Sequence, residues 1–233
     1  MKDRLQQFAK SKAKSKMLTQ FEHYEAILLR ENEKYNLTAI TDSSGIKQKH
    51  FADSMSILEL DLVKEEARVL DVGAGAGFPG VPLKIARPDI YLTLLESSAK
   101  KCDFLKIVAG ELKLDVQVTC ARAEELAHDK EHRESFDLVV SRAVAALPML
   151  CEFCLPFVEP GGIFVAYKGT LERTQQELED SHNAIEVLGG EVAHVLEAPR
   201  TGGERTLVVI KKKTPTPEHL PRKNSAIKKK GLT

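Results

Sequence analysis

The sequence predicts an α/β fold with a seven-stranded, mostly parallel sheet, an antiparallel edge and additional helices at the N-terminus. Three observations point to it. From residue 67 short apolar runs alternate with helical stretches, the pattern of parallel βαβ units covered on both faces. The last two runs, EVAHVLEA and ERTLVVIK, follow one another without a helix, so they pair antiparallel at one edge. The first run, RVLDV, ends in glycines at 73, 75 and 77 and leads into a helix, the arrangement with which such folds admit a nucleotide cofactor.

The elements are expected in this order. Residues 17–35 place Leu18, Phe21, Ala26, Leu28 and Leu29 among Glu, Gln and Lys, an amphipathic helix of imperfect period. NLTAITDSS is turn-like, and residues 45–60 form a second helical stretch with Ile46, Phe51, Met55, Ile57 and Leu58. After RVLDV, Pro79 opens a helix to Ala86, since proline suits a first turn. YLTLLE is the second strand, and Ser97 or Ser98 caps the helix KKCDFLKIVAGEL. DVQVTC is the third strand, ARAEELAH a short helix, and SFDLVVSRA holds the fourth strand. Leu147 to Val158 reads as a helix, Pro160-Gly161-Gly162 as a turn and IFVAYK as the fifth strand. TLERTQQELEDSHNAIEVLG is one long helix stopped by Gly189-Gly190. The expected organisation is an N-terminal helical extension (1–60), a core (61–213) and a basic tail (214–233).

The 233 residues, 42% hydrophobic and 29% charged, suffice for one substantial core. No 18-residue apolar run suggests a membrane span, and MKDRLQQFAKSKAKSKM has no apolar secretory segment. The expected setting is the cytoplasm, with Cys102, Cys120, Cys151 and Cys154 as free thiols. The net charge of zero conceals an asymmetry. Residues 1–20 hold six basic residues and one acid, residues 211–233 eight and one, and the body between is acidic. Basic ends point to a polyanion such as nucleic acid, or serve only to keep the ends solvated.

A glycine loop alone suits NAD, FAD or S-adenosylmethionine. The dinucleotide fingerprint needs a third glycine three residues after the second, so that a pyrophosphate can sit on the helix. Here the glycines fall two apart, position 78 is Phe, and Asp71 precedes Gly73. This is the acid-x-Gly-x-Gly form of S-adenosylmethionine enzymes, in which a carboxylate near the loop can help to hold the cationic methionine end. Glu96 closes the second strand, where an acid accepts both ribose hydroxyls. Ala123 and Glu124 follow the third strand, where such enzymes contact the adenine.

Reading past the loop, the chain resembles the bacterial glucose-inhibited division protein B family, the small-subunit ribosomal RNA guanine-N7 methyltransferases. The matching blocks are NLTAI, HFADS, LDVGAGAGFPGVPLKI, LLESSAKKCDFL, ARAEE, FDLVVSRAVA, GGIFVAYKG and GERTLVVIKK. The resemblance implies a class I (Rossmann-like) S-adenosylmethionine-dependent methyltransferase fold and a guanine of small-subunit RNA, free or in the 30S particle, as acceptor. It places cofactor contacts on Gly73, Phe78, Ala123, Glu124 and Arg142. The basic tail matches the family's pattern only in outline.

The residues suit this acceptor. Methylation at pyrimidine C5 needs a cysteine nucleophile, and no cysteine lies in a Pro-Cys loop. Guanine N7 already offers a lone pair, so no base is required and positioning supplies the catalysis, worth about 7–11 kcal/mol in favourable cases. Arg142, after the fourth strand, is the candidate catalytic residue, with its guanidinium on O6, a phosphate or the cofactor. Lys100, Lys101, Arg122, Lys168 and Arg205 fall near strand ends on the same edge and could line a groove for RNA backbone. His50 is read as structural, Cys151 and Cys154 as buried helix thiols, and Phe164 and Tyr167 as core. No metal or membrane partner is expected, and the chain is expected to act as a monomer. A methyltransferase on another acceptor, and an RNA-binding assembly factor with little turnover, are the alternatives.

Overall fold

A computed structural model describes residues 2–198 and 205–232, with side chains from residue 13. Gly203 and Glu204 of the GERTLVVIKK block lie outside the described residues.

The sheet has seven strands: β1 (Arg68–Val72), β2 (Tyr91–Glu96), β3 (Val116–Cys120), β4 (Phe136–Arg142), β5 (Val158–Lys168), β6 (Gly190–Glu197) and β7 (Thr206–Lys212). Their order is β3-β2-β1-β4-β5-β7-β6. The first five run parallel, and β7 pairs antiparallel with both β5 and β6. The chain reverses its direction of build between β1 and β4, so their carboxyl ends open a crevice. Central strands are apolar on both faces because both are covered. Val69, Leu138, Val140, Val165, Leu207 and Val209 belong to one core, and Leu70, Val139, Phe164, Val208 and Ile210 to the other.

The first core is roofed by α1 (Lys2–Tyr35), then by the irregular helical run α2 (Ser43–Gly45), a π turn (Ile46–Ala52), α3 (Asp53–Met55) and a 3₁₀ turn (Ser56–Leu60). With them pack α4 (Gly80–Ala86) and α5 (Ala99–Leu112). The stretch expected as one helix at 45–60 thus changes pitch three times. Beyond β3 the chain forms α6 (Ala123–Leu126), and the second core is covered chiefly by α7 (Leu147–Cys154) and α9 (His182–Val187). The long helix expected before Gly189 is two, α8 (Leu171–Glu179) and α9. They divide at Ser181, whose hydroxyl turns back onto the Glu177 carbonyl and competes with the helical ladder.

The free-thiol expectation fails, and the solvated-end alternative does not hold for the C-terminal tail. Cys102 and Cys120 are joined as a disulfide, and only Cys151 and Cys154 are free, both buried in α7. Register explains the pairing: Cys120 lies opposite Glu96, α5 starts just after Glu96, and the two Cα atoms come within 6.0 Å. The basic tail is not a solvated arm. It ends in α10 (Asn224–Lys229), and its Leu220 and Ile227 enter the second core. Arg133 donates to the carbonyls of Thr216, Pro217 and Leu220, and Arg222 forms a bidentate pair with fully buried Glu152. Among the described residues no helix is long and apolar enough to cross a membrane.

Candidate active site at the carboxyl edge of the sheet

The glycine loop turns sharply at the end of β1 because three of its residues take positive φ: 72° at Gly73, 58° at Gly75 and 91° at Gly77. The three are not equivalent. A Cβ at Gly73 would strike Val144, and one at Gly77 the Tyr24 hydroxyl, so both are glycine for packing. A Cβ at Gly75 would meet nothing nearer than the Gly73 carbonyl at 3.7 Å, so this position keeps open space for a ligand.

The two predicted acids divide their work. Glu96 accepts from Gly75 N at 3.0 Å and from Ser98 N at 2.8 Å, one bond to each carboxylate oxygen. Each oxygen retains a lone pair for a hydroxyl. Asp71 is placed differently from expectation. It is fully buried beneath the loop, and its Oδ2 accepts from Gly80 N at 2.8 Å at the start of α4. Burial raises its pKa to about 7, against the lowering effect of the Gly80 bond and Arg142. Its Oδ1 has no partner among the described residues. Asp71 therefore braces the loop from below rather than lining the cavity, because the alternation that puts its neighbours Leu70 and Val72 in the second core turns it to the α4 side.

Beside the loop lies a cavity of about 230 Å³, nucleoside-sized. Its walls come from Gly73, from Leu95 of β2 and Ser97 just after it, from Ala123 and Glu124 after β3, and from Val144 and Ala145 after β4. The expected adenine-side pair thus lines one cavity with the loop.

Arg142 ends β4 with its side chain only 8% exposed. Its Nη1 donates to Asp53 Oδ2 at 2.7 Å and to the Lys49 carbonyl at 3.2 Å, and its guanidinium stands 4.9 Å from the Phe78 ring centre. Its Nη2 approaches His50 Nδ1 at 3.4 Å. Arginine only donates, so Nδ1 is the bare nitrogen and Nε2–H donates to Thr38 Oγ1 at 2.8 Å. Burial first, then the Arg142 charge, lower the His50 pKa to about 4. His50 is therefore neutral at pH 7, stacked on Phe78 with ring centres 4.5 Å apart. Two Arg142 donors, Nε–H and one Nη2–H, have no partner among the described residues.

The predicted basic edge is only partly brought together. Lys100, Lys101 and Arg122 stand near the ends of β2 and β3 at or near the surface. Lys168 is engaged by Glu177 at 2.6 Å and donates to the Ala145 carbonyl at 3.1 Å. Arg205 donates to Asp53 Oδ1 at 2.8 Å and to the Lys168 carbonyl at 2.8 Å. Both are built into the scaffold.

Sequence reasoning missed two residues. Asp53 holds Arg142 and Arg205 at once, and its place inside the HFADS block was the one available signal. Tyr24 of α1, fully buried, donates to the Ala76 carbonyl inside the glycine loop. No local pattern links these two positions, 52 residues apart. The N-terminal extension is thus a structural part of the loop.

The donor set fits S-adenosylmethionine: an open glycine for backbone approach, an acid at the second strand end and a nucleoside-sized cavity. The family model of GidB, rRNA small subunit methyltransferase G, matches residues 17–208. The chain belongs to the GidB family. It is 47% identical over 212 residues to ribosomal RNA small subunit methyltransferase G of Alkaliphilus metalliredigens, covering 90% of this chain and 88% of that one. It is 44% identical over 220 residues to the protein of that name from Clostridium botulinum, covering 93% and 91%. Among solved structures, a SAM-dependent methyltransferase from Aquifex aeolicus aligns with TM-score 0.55 at 18% identity, over 72% of this chain and 93% of that one. Geranyl diphosphate C-methyltransferase of Streptomyces coelicolor aligns with TM-score 0.51 at 14% identity, over 68% and 78%. These two likenesses concern the fold alone. As a GidB member the chain is an S-adenosylmethionine-dependent methyltransferase, as the glycine spacing and the matching blocks led one to expect.

Proposed function

We propose that this site transfers a methyl group from S-adenosylmethionine to N7 of a guanine in small-subunit ribosomal RNA. The observation that supports this reading is the chemistry at the end of β4, where a fixed cation stands without a base or nucleophile. His50 is neutral with both ring nitrogens engaged. Cys102 and Cys120 are paired, and burial pushes the Cys151 and Cys154 thiols well up. The C5 route, which needs a thiolate, has no candidate among them.

When bound, the cofactor supplies an electrophilic methyl on a sulfonium. Gly75 leaves its backbone approachable, Glu96 accepts the ribose hydroxyls, and Ala123 and Glu124 border the adenine side. Arg142, backed by Phe78 and anchored by Asp53, turns its two remaining donors to guanine O6 or a phosphate. A bond to N7 itself would occupy the attacking lone pair. The N7 nitrogen carries no proton, so orientation does the catalytic work. Lys100, Lys101 and Arg122 attract RNA backbone, which makes binding salt-dependent.

Labelled S-adenosylmethionine, incubated with deproteinised small-subunit RNA and separately with 30S particles, tests the reading. Label at guanine N7 in either substrate is the expected result, and its absence from both overturns the assignment.

A further inference from the structure

We propose that the C-terminal segment 213–232 forms a wall of the cofactor cavity, with Asn224 as the residue that positions Glu124. This rests on reading the cavity as the adenosine end of the cofactor site. The cavity beside the glycine loop is lined not only by the sheet's carboxyl edge but also by Asn224 and Lys228 of α10. Asn224 Nδ2 donates to Glu124 Oε1 at 2.6 Å across 100 residues of sequence.

The segment is held there firmly. Glu152, fully buried in α7, accepts three bonds from Arg222, one from the backbone and two from the guanidinium. A buried carboxylate so satisfied fixes the chain two residues before Asn224. Three residues after it, Ile227 is fully buried in the second core. Further back, Lys212, also fully buried, donates to the Leu155 and Leu188 carbonyls and to Thr216 Oγ1. His128 Nε2 lies 2.9 Å from the Pro221 carbonyl.

Glu124 is 7% exposed and is the second residue of a helix of only four, so little besides the Asn224 bond fixes its rotamer. The Asn224 amide does so with a donor that carries no charge. The carboxylate is thus held without an ion pair, and its remaining lone pairs can receive a donor from the ligand. Lys228, exposed at the rim, adds a cation to the same wall. Of the segment's lysines Lys228 faces the cofactor cavity, and an RNA contact is not needed to explain its place there.

The test is Asn224→Asp in the full-length chain, which preserves shape and sets two carboxylates against each other. S-adenosylhomocysteine binding is measured by calorimetry, and melting temperature serves as the folding control. Affinity is expected to fall about tenfold, the scale of one lost hydrogen bond to a charged group. In a Glu124→Gln background the same change restores a donor–acceptor pair with roles reversed, so the penalty shrinks to less than about twofold. Small-subunit RNA affinity is expected to stay within about twofold of wild type, because Asn224 faces Glu124 and not phosphate. If Asn224→Asp lowers the melting temperature, Asn224→Ala replaces it, with an expected loss of about threefold. Unchanged S-adenosylhomocysteine affinity, an equal penalty in both backgrounds, or a loss confined to RNA binding would each overturn the proposal. A wild-type chain that binds no S-adenosylhomocysteine would instead overturn the underlying cofactor reading.

Discussion

Replacing Asp53 by Asn perturbs the site where its charges are most interdependent. Asp53 is 3% exposed and gives one oxygen to Arg142 at 2.7 Å and the other to Arg205 at 2.8 Å. Asparagine keeps the shape but has one acceptor, and its amide must then face a guanidinium, which only donates. One bond becomes a donor–donor contact, and both cations lose their counter-charge. Breaking a buried pair by removing one partner costs about 3–5 kcal/mol. The Arg205 side chain is 24% exposed against 8% for Arg142, and it keeps its bond to the Lys168 carbonyl, so solvent limits its share. The low end, about 3 kcal/mol, is the expected loss. In a chain of this length that lowers the melting temperature by about 6–12 °C. Methyl transfer, assayed well below the variant's own melting point, should fall by about 100-fold, the scale of a misplaced orienting group. Calorimetry and labelled-methyl transfer on the same preparation separate the two effects. Melting within about 2 °C of wild type together with wild-type turnover would refute the role of Asp53 as anchor of both arginines.

Gly75→Val should abolish cofactor binding while the chain still folds, since the new side chain occupies space now open and strains only a loop at φ 58°; normal S-adenosylhomocysteine affinity in calorimetry would contradict the loop assignment. Asp71→Asn should flatten the pH dependence of stability. The folded pKa of Asp71, raised from 3.8 to about 7, makes its contribution full below pH 4 and lost progressively up to pH 7. The stability gap between wild type and variant should therefore shift by about 2–3 kcal/mol in favour of the variant between pH 5 and pH 8, and urea titrations showing a constant gap would count against this. Tyr24→Phe strands the Ala76 carbonyl in a buried loop and should cost about 1–3 kcal/mol, with a rise in the KM for S-adenosylmethionine. A variant that loses stability with no change in KM would show that Tyr24 supports α1 alone.

Much of the architecture was legible in the chain because parallel strands covered on both faces must be apolar throughout, and their spacing by helices fixes their direction. RVLDV, YLTLLE and IFVAYK announce themselves in this way, as does the glycine run after β1. The family blocks hold Gly73, Ala123 and Glu124, which line the cavity, but not Met149, Phe153, Asn224 or Lys228. Irregular elements were less legible. The run from Ser43 to Leu60 changes pitch as it covers the first core, and the break between α8 and α9 depends on a serine hydroxyl choosing a carbonyl over solvent.

Sequence by itself determined the sheet, its antiparallel edge, the loop with Gly73, Gly75 and Gly77, and the acid at Glu96, because each rests on spacing within a few residues. Only the tertiary structure decided what those residues face. It turned Asp71 beneath the loop, bound Arg142 and Arg205 to one carboxylate, joined Cys102 to Cys120, and folded a lysine-rich tail onto Glu152 and Glu124. Charge counts treat every lysine and arginine as free, but a buried carboxylate far away in sequence gains most by capturing one. Such pairings are settled by the packing of whole elements, which no local pattern records.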